Sequence, residues 1–135
     1  NNFRRVDFDY SLDIAKKALD SGAKKLSLIS SGGADSSSKN FYLKTKGELE
    51  DCIVDLGFES VNIFRPGFLT GKGGRERAAS EKIFMKLAKV LDLILIGSAR
   101  KYRSISAEVL ATKMISTLES QPGVNYFYYE DFIKP

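Results

Sequence analysis

The chain has 135 residues, 43% hydrophobic and 28% charged, the size and make-up of one packed domain, which excludes wholesale disorder and disfavours two independent domains. With no histidine and one cysteine, Cys52, it excludes zinc sites, Ser-His-Asp triads, Cys-His dyads and disulfide frameworks within itself. Lys and Arg number 21 against 17 Asp and Glu, a net charge of +4; this mild excess favours anions such as phosphate-bearing small molecules, while the lack of an aromatic-basic RNA-binding motif disfavours nucleic acid.

The longest apolar run, Leu93 to Ile96 with Val90 and Leu91 just before it, is interrupted by Asp92 and is too short to span a bilayer. The opening residues lack a signal-peptide pattern, and a single free cysteine suits a reducing compartment, so a cytoplasmic protein is expected.

In chain order, Leu12, Ile14, Ala15, Ala18 and Leu19 recur at helical spacing and Ser21-Gly22 supplies a stop, predicting a helix from about Tyr10 to Asp20. Leu26 to Ser30 is a short apolar run between Lys24-Lys25 and Gly32-Gly33, the pattern of a buried strand of a parallel sheet. Ser31 to Asn40 reads as a loop. Phe41 to Leu56 returns to helical spacing, with Leu49, Ile53 and Leu56 on one face and Gly57 as the C-terminal cap. Ser60 to Arg65 alternates and meets Pro66-Gly67, predicting a second strand ending in a sharp turn.

A Gly-rich, charged loop from Thr70 to Arg77 leads to an expected helix from about Ser80 to Leu91, and Asp92 to Gly97 is expected as a third strand. Ser106 opens a further helix with Glu108 in its first turn, running to about Leu118 before Gln121-Pro122-Gly123 stops it. Val124 to Tyr129 is β-rich and aromatic, either a late strand or a docking surface. Alternating helices and strands with short connections predict an α/β fold with a parallel sheet, whose ligands bind at the carboxyl ends of the strands. The functional loops should then follow Ile29 and Phe64.

The first of these loops carries Ser30-Ser31, and the helix after it carries Tyr42 and Lys46, four apart and therefore on one face. A phenol is a poor base at neutral pH, but a cation a few ångströms away favours the phenolate and brings it into catalytic range. A serine hydroxyl at the strand end can hold the same substrate oxygen. Tyr four residues before Lys arises by chance on many helices; the pair gains weight from the Ser-Ser strand end and the Arg65-Pro66-Gly67 turn, all at one edge of the sheet.

The order strand-Ser-Ser, Tyr-x-x-x-Lys, strand-Arg-Pro-Gly resembles the short-chain dehydrogenase/reductase superfamily. Leu28-Ile-Ser-Ser-Gly-Gly-Ala-Asp, Tyr42-Leu-Lys-Thr-Lys-Gly-Glu-Leu-Glu, Phe64-Arg-Pro-Gly and the earlier Val6-Asp-Phe-Asp-Tyr are similar to its atypical Tat-interacting-protein-like oxidoreductases. The resemblance runs from Val6 to about Thr70. It implies that Tyr42 is the acid/base, that Lys46 favours its phenolate and bonds the nicotinamide ribose, and that Ser31, rather than Ser30, orients the substrate. It implies further that Pro66, Gly67 and Leu69 lie against the nicotinamide, where a missing side chain and a fixed φ let the backbone approach the ring. Arg77 is a candidate contact for cofactor phosphate or substrate, or equally a solvated loop charge.

By the same resemblance the cofactor would be NADP(H) rather than NAD(H), and the substrate a small carbonyl or alcohol compound. The residues before Ser31 depart from the family: the strand and Gly-x-Gly-x-x-Gly turn that hold a pyrophosphate are absent from this sequence. The 135 residues therefore read as a single domain, the C-terminal part of a Rossmann-like parallel sheet with flanking helices, without the Gly-rich nucleotide-binding half. Such a half-fold would leave the strand before Ser31 without its inner neighbour, an edge for a protein partner or a second copy to complete. The competing expectation is a non-catalytic scaffold or regulatory interaction subunit with the same fold.

Overall fold

A computed structural model of the chain describes residues 2–70, 90, 92–119 and 121–134. The chain opens with helix α1 (Asn2–Arg4), continues through a π-helical stretch (Arg5–Tyr10) and runs on as α2 (Ser11–Asp20). Helical structure thus begins well before Tyr10, where periodicity starts it. The early turns are held by tertiary contacts, Arg4 pairing with Glu48 and Phe3 packing on Tyr42, and locally by Arg4 lying 4.3 Å from the Phe8 ring centroid.

Strand β1 (Lys25–Ile29), helix α3 (Phe41–Asp55) and strand β2 (Ser60–Phe64) follow, each within a residue or so of its expected bounds, but β1 is part-exposed rather than the buried strand expected, since it pairs on one side only among the described residues. The Asn40 side chain caps α3 by accepting from the Leu43 amide at 3.1 Å, satisfying one of the free N–H groups of the first turn. Short strands β3 (Leu69–Thr70) and β4 (Ile105–Ser106) pair with each other. The N-cap role expected of Ser106 holds: it accepts from the Val109 amide at 3.2 Å and opens α4 (Ala107–Ser116). Strand β5 (Gly123–Phe127) and helix α5 (Tyr129–Ile133) end the described chain.

The main sheet has the order β1-β2-β5, with both pairings parallel. The fold is thus α/β, a parallel sheet flanked by helices, and β1 is an edge strand among the described residues. Alternation along β2 builds two cores, because successive side chains point to opposite faces. Val61 and Ile63 pack with Ala15 of α2 and Leu49 and Ile53 of α3, whereas Phe64 packs with Ile105, Leu110 and Phe132. Between them, Asn62 donates to the Thr117 carbonyl at 2.9 Å and accepts from Asn125 of β5 at 3.1 Å, which satisfies a polar side chain only 3% exposed.

The third strand expected over Asp92 to Gly97 does not form. Residues 92–94 are helical, and Gly97–Tyr102 is a 3-10 helix. The Asp92 carboxylate accepts from the Ser104 amide at 2.8 Å and from the Ser104 hydroxyl, and the Arg103 guanidinium donates to the Leu95 carbonyl at 2.8 Å. These bonds fold the segment back on itself, Gly97 turns at φ 59°, and the place beside β2 belongs to β5. The expected Thr70 to Arg77 loop, apart from Thr70, and the Ser80 to Leu91 helix, apart from Val90, lie outside the described residues. Among the described residues no helix is long and apolar enough to cross a membrane.

Candidate functional site

Parallel strands β1 and β2 end side by side, so their following loops meet at one edge of the sheet. The loops are joined through the main chain: the Ser30 amide donates to the Phe64 carbonyl at 2.7 Å, and the Gly32 amide to the Pro66 carbonyl, also at 2.7 Å. Above this edge is an open groove of about 790 Å³, to which Ser31, Tyr42, Gly67, Phe68 and Tyr102 contribute. The structure therefore brings three of the sequence-derived residues, Ser31, Tyr42 and Gly67, onto one surface.

Ser31 lines the groove, whereas Ser30 is buried and its Oγ has no partner among the described residues. Tyr42 leaves 43% of its surface exposed and stands one helical turn before Lys46, whose Nζ lies 5.9 Å from the Tyr42 ring centroid. The lysine is also held by a residue to which the sequence reading, quoting it only within Val6-Asp-Phe-Asp-Tyr, gave no role. Asp7 accepts from Lys46 Nζ at 2.7 Å, and the lysine side chain is only 12% exposed. Asp7 sits in the π-helical stretch, a distortion that recurs where a helix serves a site. No signal in the sequence joins residues 7 and 46.

Gly67 has a packing role of its own among the described residues. A Cβ built there would lie 2.2 Å from the Tyr102 carbonyl oxygen and 2.7 Å from that of Arg103, so the missing side chain admits the 97–103 segment. Gly47 acts likewise on α3, where a Cβ would meet the Ser36 amide nitrogen at 2.2 Å. Pro66 is buried, with its carbonyl engaged by Gly32. Leu69 lies farther along, in β3 and paired with Ile105. Arg77 is outside the described residues.

Arg65, noted in sequence only as part of the turn, belongs to a buried ion pair. Its Nε donates to both Glu50 carboxylate oxygens, at 3.1 and 3.2 Å, its Nη2 donates to Glu50 Oε2, and its Nη1 donates to the Tyr128 hydroxyl at 2.9 Å. Burial disfavours the Arg65 charge, but the Glu50 carboxylate and the Tyr128 hydroxyl outweigh it and hold the guanidinium above its ordinary value. The cluster ties α3, which carries Tyr42 and Lys46, to the carboxyl ends of β2 and β5.

Asp35 and Ser38 also line the groove. Asp35 Oδ1 accepts from the Ser37 hydroxyl at 2.7 Å and the Ser37 amide at 2.8 Å. These two bonds, with a smaller contribution from the Arg65 charge, hold its carboxyl below the ordinary aspartate value.

No family model matches the chain. It is similar to the "Protein FMP52, mitochondrial" of Meyerozyma guilliermondii, with 42% identity over 120 residues that make up 87% of this chain and 50% of the relative. The protein of the same name in Debaryomyces hansenii is 41% identical over 123 residues, 90% of this chain and 52% of the relative. "Protein HTATIP2" of Rattus norvegicus is 46% identical over 69 residues, 51% of this chain and 28% of the relative. The chain thus spans about half the length of the FMP52 proteins. Their names overturn the expectation of a cytoplasmic protein: these relatives are mitochondrial by name. An unpaired cysteine is compatible with any reducing compartment and does not choose among them.

Proposed function

We propose that this chain is the substrate-side half of a mitochondrial NAD(P)-dependent oxidoreductase of short-chain dehydrogenase type, acting between a carbonyl and an alcohol. The observation that carries this reading is the meeting of Ser31 and Tyr42 on one groove at the carboxyl ends of β1 and β2, with Lys46 beside the tyrosine and anchored by Asp7. Similarity to FMP52 and HTATIP2 proteins supports it. The longer relatives leave room for the nucleotide-binding half, whose inner strand would lie against the edge of β1 that has no neighbour among the described residues.

The donor set suits the nicotinamide end of such a cofactor. An ammonium has three N–H donors and Asp7 takes one, which leaves Lys46 two for ribose hydroxyls. NADPH is the form we expect. When bound, the reduced nicotinamide supplies a hydride to the carbonyl carbon. The Ser31 hydroxyl donates to the carbonyl oxygen and fixes its position. The Tyr42 hydroxyl gives that oxygen its proton as negative charge develops there, and the nearby Lys46 charge steadies the phenolate left behind. Alcohol oxidation reverses each transfer.

The test is Tyr42→Phe in the whole protein, assayed as NADPH oxidation with carbonyl substrates. Losing a positioned acid/base should lower kcat by about 100-fold or more, with the folded circular dichroism spectrum unchanged. Equal turnover in the variant and the wild type would refute the assignment.

A further inference from the structure

The groove's walls indicate what it takes, an inference that rests on the oxidoreductase reading and deepens it. Phe68, Tyr42 and Tyr102 line it while keeping 45%, 43% and 37% of their surfaces exposed. Leu43 and the glycines Gly32 and Gly33 add apolar and backbone surface. Aromatic side chains this exposed on a concave surface favour a ligand that covers their exposed area with apolar surface, although the Tyr42 ring already meets Phe3 and Lys46 and the Tyr102 ring meets Lys101. The polar side-chain groups are few: the Ser31, Ser38, Tyr42 and Tyr102 hydroxyls, and one ionisable carboxylate, Asp35. Among the described lining residues none is Lys or Arg. Both Ser37 hydrogen bonds fall on Asp35 Oδ1, and a carboxylate so bonded remains charged at neutral pH.

We propose that the groove takes an uncharged carbonyl compound with an aromatic or otherwise apolar body, and that Asp35 is the specificity residue that turns away carboxylate-bearing analogues. Asp35 is solvent-exposed, so a ligand carboxylate about 7 Å from it, at an effective dielectric of about 80, is repelled enough to weaken binding about two- to threefold.

The test compares two ligands with one body, methyl 4-acetylbenzoate and 4-acetylbenzoate, titrated by ligand-observed NMR into the whole protein at low salt. The ester should bind about two- to threefold tighter than the acid, and Asp35→Asn should close most of the gap while keeping an Oδ1 acceptor for Ser37. Asp35→Lys should reverse the preference. Equal binding of the two ligands, a gap unchanged in Asp35→Asn, or no binding of the ester each overturns the proposal. Turnover with NADPH is read separately. Charge discrimination without turnover refutes the oxidoreductase reading and leaves the ligand class standing, whereas turnover of both ligands with equal affinity does the reverse.

Discussion

Replacing Glu50 with alanine should cost about as much as truncating a core side chain of similar size, because it strands a charge. The Glu50 side chain is 2% exposed and that of Arg65 20%. Three guanidinium hydrogen bonds converge on this carboxylate, and the surroundings keep Arg65 protonated. Removing one partner of a buried pair costs about 3–5 kcal/mol. Arg65 retains some access to water and keeps its Tyr128 bond at 2.9 Å, so a value of about 3 kcal/mol is expected. That is a large share of the roughly 5–15 kcal/mol that holds a domain together. Urea unfolding of the whole protein, followed by circular dichroism, would measure it. The double replacement Glu50→Met with Arg65→Met leaves no charge buried and should cost less than Glu50→Ala alone. A loss under about 1 kcal/mol for Glu50→Ala, or a double variant worse than the single one, would show that the pair is not what joins α3 to the sheet.

Gly67→Ala should destabilise by about 1–3 kcal/mol, since its Cβ would fall 2.2 Å from a main-chain carbonyl; an unchanged melting temperature would contradict this packing. Ser106→Ala removes the cap on the Val109 amide and should cost about 1 kcal/mol, readable as a shift in the urea midpoint. The two Ser37 bonds hold the Asp35 carboxyl below the ordinary aspartate value, so its hold on the Ser37 turn is fully present above that ordinary value and is lost as pH falls through the lowered folded one. Carboxyl carbon NMR should give a midpoint below that of a free aspartate, and Ser37→Ala should raise it; a midpoint unmoved by that change would exclude Ser37 as the cause.

The parts of the fold legible in sequence are those written in local periodicity. Leu49 and Ile53, four apart, mark the buried face of α3, and Gly57, at φ 83°, marks its end. The unbroken burial of β2 follows from its place between two strands and two helical layers, as expected for a parallel sheet. The apolar run Leu93 to Ile96 misled because it reads as a strand in isolation. Leu93 is in fact 81% exposed and Ile96 69%, and the run is fixed by Asp92 and Arg103 bonding across about ten residues. Long-range pairing also hid Asp7 and Glu50. Each looks like a solvated helix charge until the fold brings Lys46 and Arg65 against it.

What positions the groove is mostly main chain. Gly32 donates to Pro66, Gly67 admits the backbone of Tyr102 and Arg103, and Gly47 admits that of Asp35 and Ser36. Each contact fixes one wall against another without using a side chain from the groove. Backbone contacts of this kind tolerate no added Cβ, but they place no demand on the residues that project from the same loops. Differences in ligand preference between this chain and its relatives should therefore lie in the side chains that line the groove rather than in the path of the loops that carry them, although Asp35 and Ser38 also hold their own turns through hydrogen bonds to Ser37 and Asn40.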